Sequence, residues 1–298
     1  MGGKDAGGGE QGTVIAALLT GAIVWGLVWY PYRALEWAGY SPTTATILTY
    51  AASMVLLALL PSGSLAGWRQ NWWPLLLIGL AAGWTNLAYV LGMVGGEVMR
   101  VLLLFYLAPL WTVVLSRLLL GEQLTPASGL LVLLSLAGAL VMLWPAQGLP
   151  LPANAAEWLG LSAGVSFALV NVLSRRAQAT SIELKSLATW LGVLAVSAAW
   201  LAVGGGRWSM PAQPALTDLL LLAILGLTLG SITVIIQYGL ARVPANTAIV
   251  IFLVELVAGA VSAALLAGEY LGLRDWIGGS LIVSASLVAA WRSRRRRA

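Results

Sequence analysis

Few side chains inside the apolar runs of this sequence can do chemistry, and those few recur at helical spacing. Asn86 and Tyr89 stand three residues apart, one turn beyond Gly83, so a helix carries all three on one face. Gly226, Gly230, Thr233 and Gln237 form a second such stripe. Asn171, Tyr106, Trp25 and Trp84 complete the candidates for holding a substrate, with Trp111 and Tyr238 nearby. Neutral amides, hydroxyls and phenols can grip both an ammonium and a carboxylate without bonds so strong that the ligand stays. Aromatic faces can stack a ring or attract an ammonium. The competing reading for Asn86, Asn171 and Gln237 is interhelical hydrogen bonding, worth about 0.6 kcal/mol on average in membrane bundles. For the tyrosines and tryptophans it is packing.

Glu255 is the carboxylate that falls well inside an apolar run. Three roles are open to it: binding a substrate ammonium, carrying a proton for coupling, or a structural or gating bond to a neighbouring helix. Gly79 with Gly83, and Gly226 with Gly230, have the GxxxG spacing that lets helix backbones approach closely, and they mark the faces on which Asn86, Thr233 and Gln237 lie.

The elements that must position these groups are membrane spans. The chain of 298 residues is 60% hydrophobic and 9% charged, with a mean hydropathy of +0.90. Soluble domains carry about 25% charged residues. So large an apolar excess has no place in a water-facing fold, because roughly half of any folded surface stays exposed. At ~20 residues per span the length accommodates about ten spans and short loops. The apolar runs fall at 13–32, 42–60, 73–93, 99–119, 126–144, 156–176, 184–203, 216–238, 246–266 and 274–291, separated by Pro and Gly punctuation such as Ser41-Pro42, Pro61-Ser62-Gly63, Gly95-Gly96, Thr125-Pro126 and the 145–153 stretch. Residues 1–12 read as a disordered polar tail, and 292–298 as a basic one. The first apolar run has no A-x-A site after it, so no cleavable signal peptide is expected.

Cysteine and histidine are absent, which excludes disulfides, thiolate chemistry, His-ligated metal and His acid–base catalysis; no metal or cofactor is expected. Without a Ser–His pair or two buried aspartates an intramembrane hydrolase cannot be assembled. Without a Walker A loop this chain does not hydrolyse ATP. The net charge of +5 reflects loop residues and not a nucleic-acid partner. With the N-terminus inside, twelve Lys and Arg lie on the cytoplasmic side and four (Arg33, Arg100, Arg207, Arg274) opposite, so both termini are expected in the cytoplasm. Trp68, Trp72, Trp73, Trp144, Trp158, Trp208, Trp276 and Trp291 fall near span ends, as interfacial anchors should.

The sequence also repeats. A shift of 147 residues lays Gly79-Leu80-Ala81-Ala82-Gly83 on Gly226-Leu227-Thr228-Leu229-Gly230, Leu103-Leu104-Phe105 on Val250-Ile251-Phe252, and Gly121-Glu122 on Gly268-Glu269. It also lays Asn86 on Thr233. A shift of 142 sets Trp25-Gly26-Leu27-Val28 over Phe167-Ala168-Leu169-Val170, and Asn171 opposite Trp29. A shift of 140 sets Ser41 over Ser181 and Thr49-Tyr50 over Thr189-Trp190. The expected fold is therefore all-α: ten transmembrane helices as two five-helix repeats, 13–144 and 156–291, around a central cavity. Five is odd, so the second repeat enters the membrane inverted. Inverted repeats are characteristic of secondary transporters that give alternating access to a site near the midplane.

Trp25-Gly26 with Arg33, Leu107-Ala108-Pro109-Leu110 with Gly121-Glu122, and Glu255 with Gly268-Glu269 resemble the signatures of the drug/metabolite transporter superfamily, in its ten-helix EamA-type branch. The family usually has Pro after the ninth-helix Glu; Leu256 stands there instead and leaves the kink expected at that point open. Overall likeness is greatest to the YddG-type exporters of aromatic amino acids. The resemblance implies a bacterial inner-membrane carrier with a cavity lined by helices 1, 3, 4, 6, 8 and 9, with helices 5 and 10 peripheral. It also implies export of neutral, chiefly aromatic, amino acids or similar metabolites. A lipid-handling protein of the same fold, or an exporter of another metabolite or drug, is the alternative. A Glu at position 255 is typical of the family whatever the substrate, which favours the structural or gating role.

Overall fold

The computed structural model describes residues 5–59, 66–96, 98–144, 152–266 and 271–295. The sequence features at Pro61-Ser62-Gly63, Gly268-Glu269, most of 145–153 and both chain ends beyond 5 and 295 lie outside the described residues. The described chain is helical: α1 Asp5–Leu27, α2 Trp29–Trp37, α3 Pro42–Ser53 prolonged by a 3-10 turn Met54–Leu59, α4 Trp72–Gly95, α5 Val98–Phe105, α6 Ala108–Leu120, α7 Pro126–Leu143, α8 Ala155–Arg176, α9 Ile182–Ala202, α10 Leu216–Leu240, α11 Ala245–Phe252, α12 Val254–Leu266 and α13 Leu273–Arg295. Six helical stretches are long and apolar enough to cross a bilayer unaided, and shorter apolar helices accompany them. Ten spans result among the described residues, because α1–α2, α5–α6 and α11–α12 are single interrupted spans, the first broken toward its end at Val28 and the other two nearer their middles. The first helix already begins at Asp5, inside the stretch read as tail; once a helix is nucleated, each added residue gains a hydrogen bond without a new nucleus.

Helix starts follow local chemistry. Ser41 and Ser181, matched by the 140-residue shift, cap α3 and α9: each Oγ accepts the backbone N–H three residues on, at 3.2 Å. Asn154 caps α8, its Oδ1 accepting the Glu157 N–H at 3.0 Å, while the Glu157 carboxylate accepts from the Ala153 N–H at 2.8 Å and from Asn154 Nδ2 at 2.9 Å. Thr125 ahead of Pro126 does the same for α7.

The breaks are less local. In α5–α6 the cause is Pro109, which has no N–H to give and whose ring crowds the carbonyl four residues back, Phe105. The freed Phe105 carbonyl lies against Gly164 of α8, where a Cβ would sit 2.5 Å from its oxygen. In α11–α12 no proline follows Glu255, yet the helix still breaks, at Leu253, with a tightened Leu256 N–H to Leu253 C=O bond of 3.1 Å. Leu253 is the position that the 147-residue shift lays on Tyr106, where the fourth span breaks. The span is therefore interrupted at Leu253 without a proline ring, while Leu253 itself keeps helical dihedrals. Gly26 of α1 fits against the Glu255 carbonyl and Ala258. Ser262 then ties α12 to the first span, its hydroxyl lying between the Gly259 carbonyl at 2.8 Å and the Gly26 carbonyl of α1 at 3.1 Å and accepting from Trp29 Nε1 of α2 at 2.9 Å.

The two halves interlock by exchange. Helix α4 packs on α8 and α9, and its repeat mate α10 packs on α1 and α3; α7 and α13 pair with one another at the periphery. Gly79 and Gly83 meet Ala188 and Gly192 of α9, while Gly226 and Gly230 meet Thr49, Ala52 and Ser53 of α3. Ser53 Oγ donates to the Gly226 carbonyl at 2.7 Å across the second contact. The eight tryptophans expected as anchors are all exposed. Lys185, counted as a loop charge, is instead fully buried, its ammonium 3.5 Å from the Ser174 carbonyl in the last turn of α8, where the helix dipole is negative.

A side chain at Gly192 would drive into the Gly79 backbone. Gly192→Leu is expected to lower stability by about 1–3 kcal/mol or to block assembly, the cost of overpacking. Gly259→Ala, whose added carbon would meet a single atom 3.6 Å away, is expected to be tolerated. Thermal unfolding of both variants in detergent checks the contrast.

Candidate functional site

Where the two repeats face each other they enclose a cavity with about 80 Å³ open to the centres of water-sized molecules. One water needs about 10–15 Å³ on that measure, so the space suits a small solute. Its wall comes from the first four spans and from the sixth to the ninth; α7 and α13 contribute nothing to it. The second and seventh spans, through Tyr50 and Thr189, join the six helices expected to line it.

Repeat symmetry organises the aromatic part of the wall. Trp25 and Phe167 are one matched pair under the shifts, Phe105 and Phe252 another, and all four line the cavity. Phe105 ends α5 and Phe252 ends α11, so the helix breaks set these rings at the edge of the space. Ring contacts run from Tyr89 to Phe105 at 5.0 Å between centroids, on to Phe167 at 5.5 Å and then to Phe252 at 5.4 Å, an unbroken path from α4 to α11.

The polar part is divided between groups already paired and groups that are not. Asn86 Oδ1 accepts from the Tyr50 hydroxyl at 2.7 Å and its Nδ2 donates to the Ala82 carbonyl at 3.0 Å. Thr233 donates to Leu229 at 2.7 Å. By contrast, Asn171 is fully buried with neither Oδ1 nor Nδ2 partnered, and Gln237 leaves its buried Oε1 unpartnered. Glu255 lies in the first turn of α12, where the positive end of a helix favours a carboxylate, and the Tyr106 side chain stands beside it.

Of the residues expected to hold a substrate, the fold brings Trp25, Asn86, Tyr89, Asn171, Thr233 and Gln237 to one cavity, with Glu255 beside them. Tyr106 sits behind the wall, buried against Phe105 and reaching the space only through Glu255. Trp84 is outside the wall; its Nε1 donates to Ser162 at 3.1 Å and its ring stands edge-on to Trp200. Trp111 is exposed, and Tyr238 stacks under the Arg242 guanidinium at 3.9 Å. The four glycines lie at the helix contacts described above and not in the cavity wall. Tyr50, Phe105, Phe167 and Phe252 were missed as site residues, although each stands within a stretch that the repeat shifts bring into register.

Beyond Gln237 and Leu240, on the face bearing most of the Lys and Arg, charged groups join elements of both repeats. Arg175 at the end of α8 donates to the Ala241 carbonyl at 2.8 Å and stands 3.9 Å from Glu122, which follows α6. Burial raises the Glu122 carboxyl above its ordinary range, while Arg175 and the Ala245 N–H draw it back.

The sequence matches the model of the EamA-like transporter family twice, at residues 12–144 and 154–291. The chain belongs to that family. Its members are membrane transporters of small molecules, and this ten-span, two-repeat architecture is theirs. No curated protein matches the chain significantly. Among 29 solved chains that do, one crystal structure, described simply as that of a protein, aligns over 95% of this chain and 99% of its own with a TM-score of 0.72 at 21% identity, a likeness of fold.

Within the EamA fold seen here, Tyr50→Phe strands the Asn86 acceptor in the wall. That change is expected to cost about 1–3 kcal/mol, the penalty for an unmade buried bond, measured as a lowered unfolding temperature in detergent.

Proposed function

We propose that this EamA-family protein is a secondary transporter or facilitator that exports neutral amino acids, chiefly aromatic ones, across a bacterial inner membrane by alternating access, with both termini in the cytoplasm. The observation that carries the reading is the cavity itself: a small space between inverted halves, walled by repeat-related aromatic rings and neutral amides. Such a wall accepts a planar apolar body and hydrogen-bonds a polar head without the strong charge pairing that would trap it. The likeness to the YddG-type exporters supports the same substrate class.

In this reading the helix breaks are the working parts. Discontinuous spans near the membrane midplane put free backbone groups and half-helix ends at a transport site. Glu255 of the broken ninth span stands beside Tyr106 at the break of the fourth, and this juxtaposition places the carboxyl where the two halves would rock on one another. Glu255 is accordingly assigned a structural and gating role.

Proteoliposomes loaded with unlabelled phenylalanine are expected to accumulate labelled phenylalanine by saturable counterflow, whereas labelled phospholipid stays in its leaflet. Lipid flipping without amino-acid flux would overturn the assignment. Glu255→Gln, which keeps a hydrogen-bond acceptor for Tyr106, is expected to retain both flux and the wild-type pH profile. A profile flattened by that change would instead make Glu255 the proton carrier.

A further inference from the structure

The amides that line the cavity are satisfied unequally. Asn86 of α4 has both amide atoms engaged, by the Tyr50 hydroxyl and the Ala82 carbonyl. Asn171 of α8 is fully buried, lines the same cavity, and has neither amide atom engaged; Gln237 of α10, 2% exposed, has a free Oε1 there too. A buried amide without partners costs about 1–3 kcal/mol per lost bond, and native proteins leave few such groups without a functional reason. Both residues stand near the same ends of parallel-running spans. Asn171 is five residues from the end of α8 and Gln237 three from the end of α10, about 7 Å and about 5 Å of helix rise. The aromatic rings Phe105 and Phe252 lie at the helix breaks. Phe167 stands one turn before Asn171 on α8, and Phe252 clusters with Phe167, Ile236 and Leu240 beside Gln237, so the rings and the free amides share one wall.

We infer that Asn171 and Gln237 form the head-group subsite, which receives a neutral dipolar head carrying both an ammonium and a carboxylate, while the substrate's apolar body lies among Trp25, Phe105, Phe167 and Phe252. The inference rests on the proposed amino-acid transport and specifies how the substrate lies. The amide of Asn171 supplies donors for a carboxylate and, with Gln237 Oε1, acceptors for an ammonium. No Lys or Arg lines the cavity among the described residues, and its one carboxyl, Glu255, has the Tyr106 side chain beside it. A free anion therefore meets no countercharge there, whereas a zwitterion brings its own. Asn86 and Thr233, though at matching depth, are structural by the same test, since each already has its bond within the protein.

The test uses the full-length protein and two readouts. Asn171→Leu and Gln237→Met are near in size to the residues they replace and remove the free polar atoms; Asn86→Leu, which breaks two existing bonds, is the control. In detergent without substrate, Asn171→Leu and Gln237→Met are expected to raise the unfolding temperature and Asn86→Leu to lower it. In phenylalanine counterflow the first two are expected to raise KM about tenfold or more with the maximal rate nearly kept, since a site built to bond polar groups discriminates through them. They are also expected to abolish the wild-type preference for phenylalanine over phenethylamine and 3-phenylpropionate as competitors. Lower stability of Asn171→Leu and Gln237→Met with unchanged KM would overturn the subsite and make both residues packing groups. Absence of phenylalanine flux in the wild type would defeat the proposed substrate instead; the stability readout then judges the subsite alone, a rise supporting it and a fall overturning it.

Discussion

A bilayer offers no hydrogen-bond partner, and every feature of this chain answers to that constraint. Each backbone N–H and C=O within the hydrocarbon must be satisfied by the protein itself, which leaves the helix as the default for a chain this apolar. Where a span departs from the helix it can do so only against other protein. The freed Phe105 carbonyl lies against Gly164, and the Glu255 carbonyl against Gly26. Several polar side chains meet it locally: Thr46, Ser135, Thr189 and Thr233 each donate to a carbonyl four residues back.

From that rule follows the division between a rigid frame and a working centre. Helices meet closely where small residues allow it, with Gly192 of α9 set against Gly79 and Gly226 of α10 set against Thr49. These contacts repeat across the two halves and hold α4 and α10 in equivalent settings. Between them the broken spans deliver rings and half-helix ends to the cavity. The outer pair, α7 and α13, closes through Gly138 and the Gly278 carbonyl and takes no part in the site. The matched pair Asn86 and Thr233 are both bonded within the wall, whereas Asn171, which the shift lays on Trp29, is free within it.

Much of the site was readable before the fold was known. The membrane environment made each intraspan amide conspicuous, and helical spacing grouped Asn86 with Tyr89 and Thr233 with Gln237. The rings were harder to read. Phe105, Phe167 and Phe252 are as suited to packing as to lining a cavity, and their types alone do not distinguish the two; the repeat register contained the clue, because matched positions in inverted halves meet at the same place. Trp84 shows the converse, an aromatic of the right kind in the right span whose indole faces Ser162 and Trp200. Helical period places a residue on a face but leaves open which neighbour covers that face.

Hydrophobicity, charge placement and self-similarity along the chain were enough for ten helical spans in two inverted halves, because those properties depend on the solvent and on local hydrogen bonding. Three matters were left to the packing of one half on the other. The ninth span is interrupted at Leu253 with no proline in the sequence to announce it. Lys185 is buried because the end of α8 presents it with a carbonyl. Which amides remain free to bind depends on the neighbour each one meets, Tyr50 for Asn86 and none for Asn171, and hydrogen-bond partners are brought together only when distant segments fold into contact.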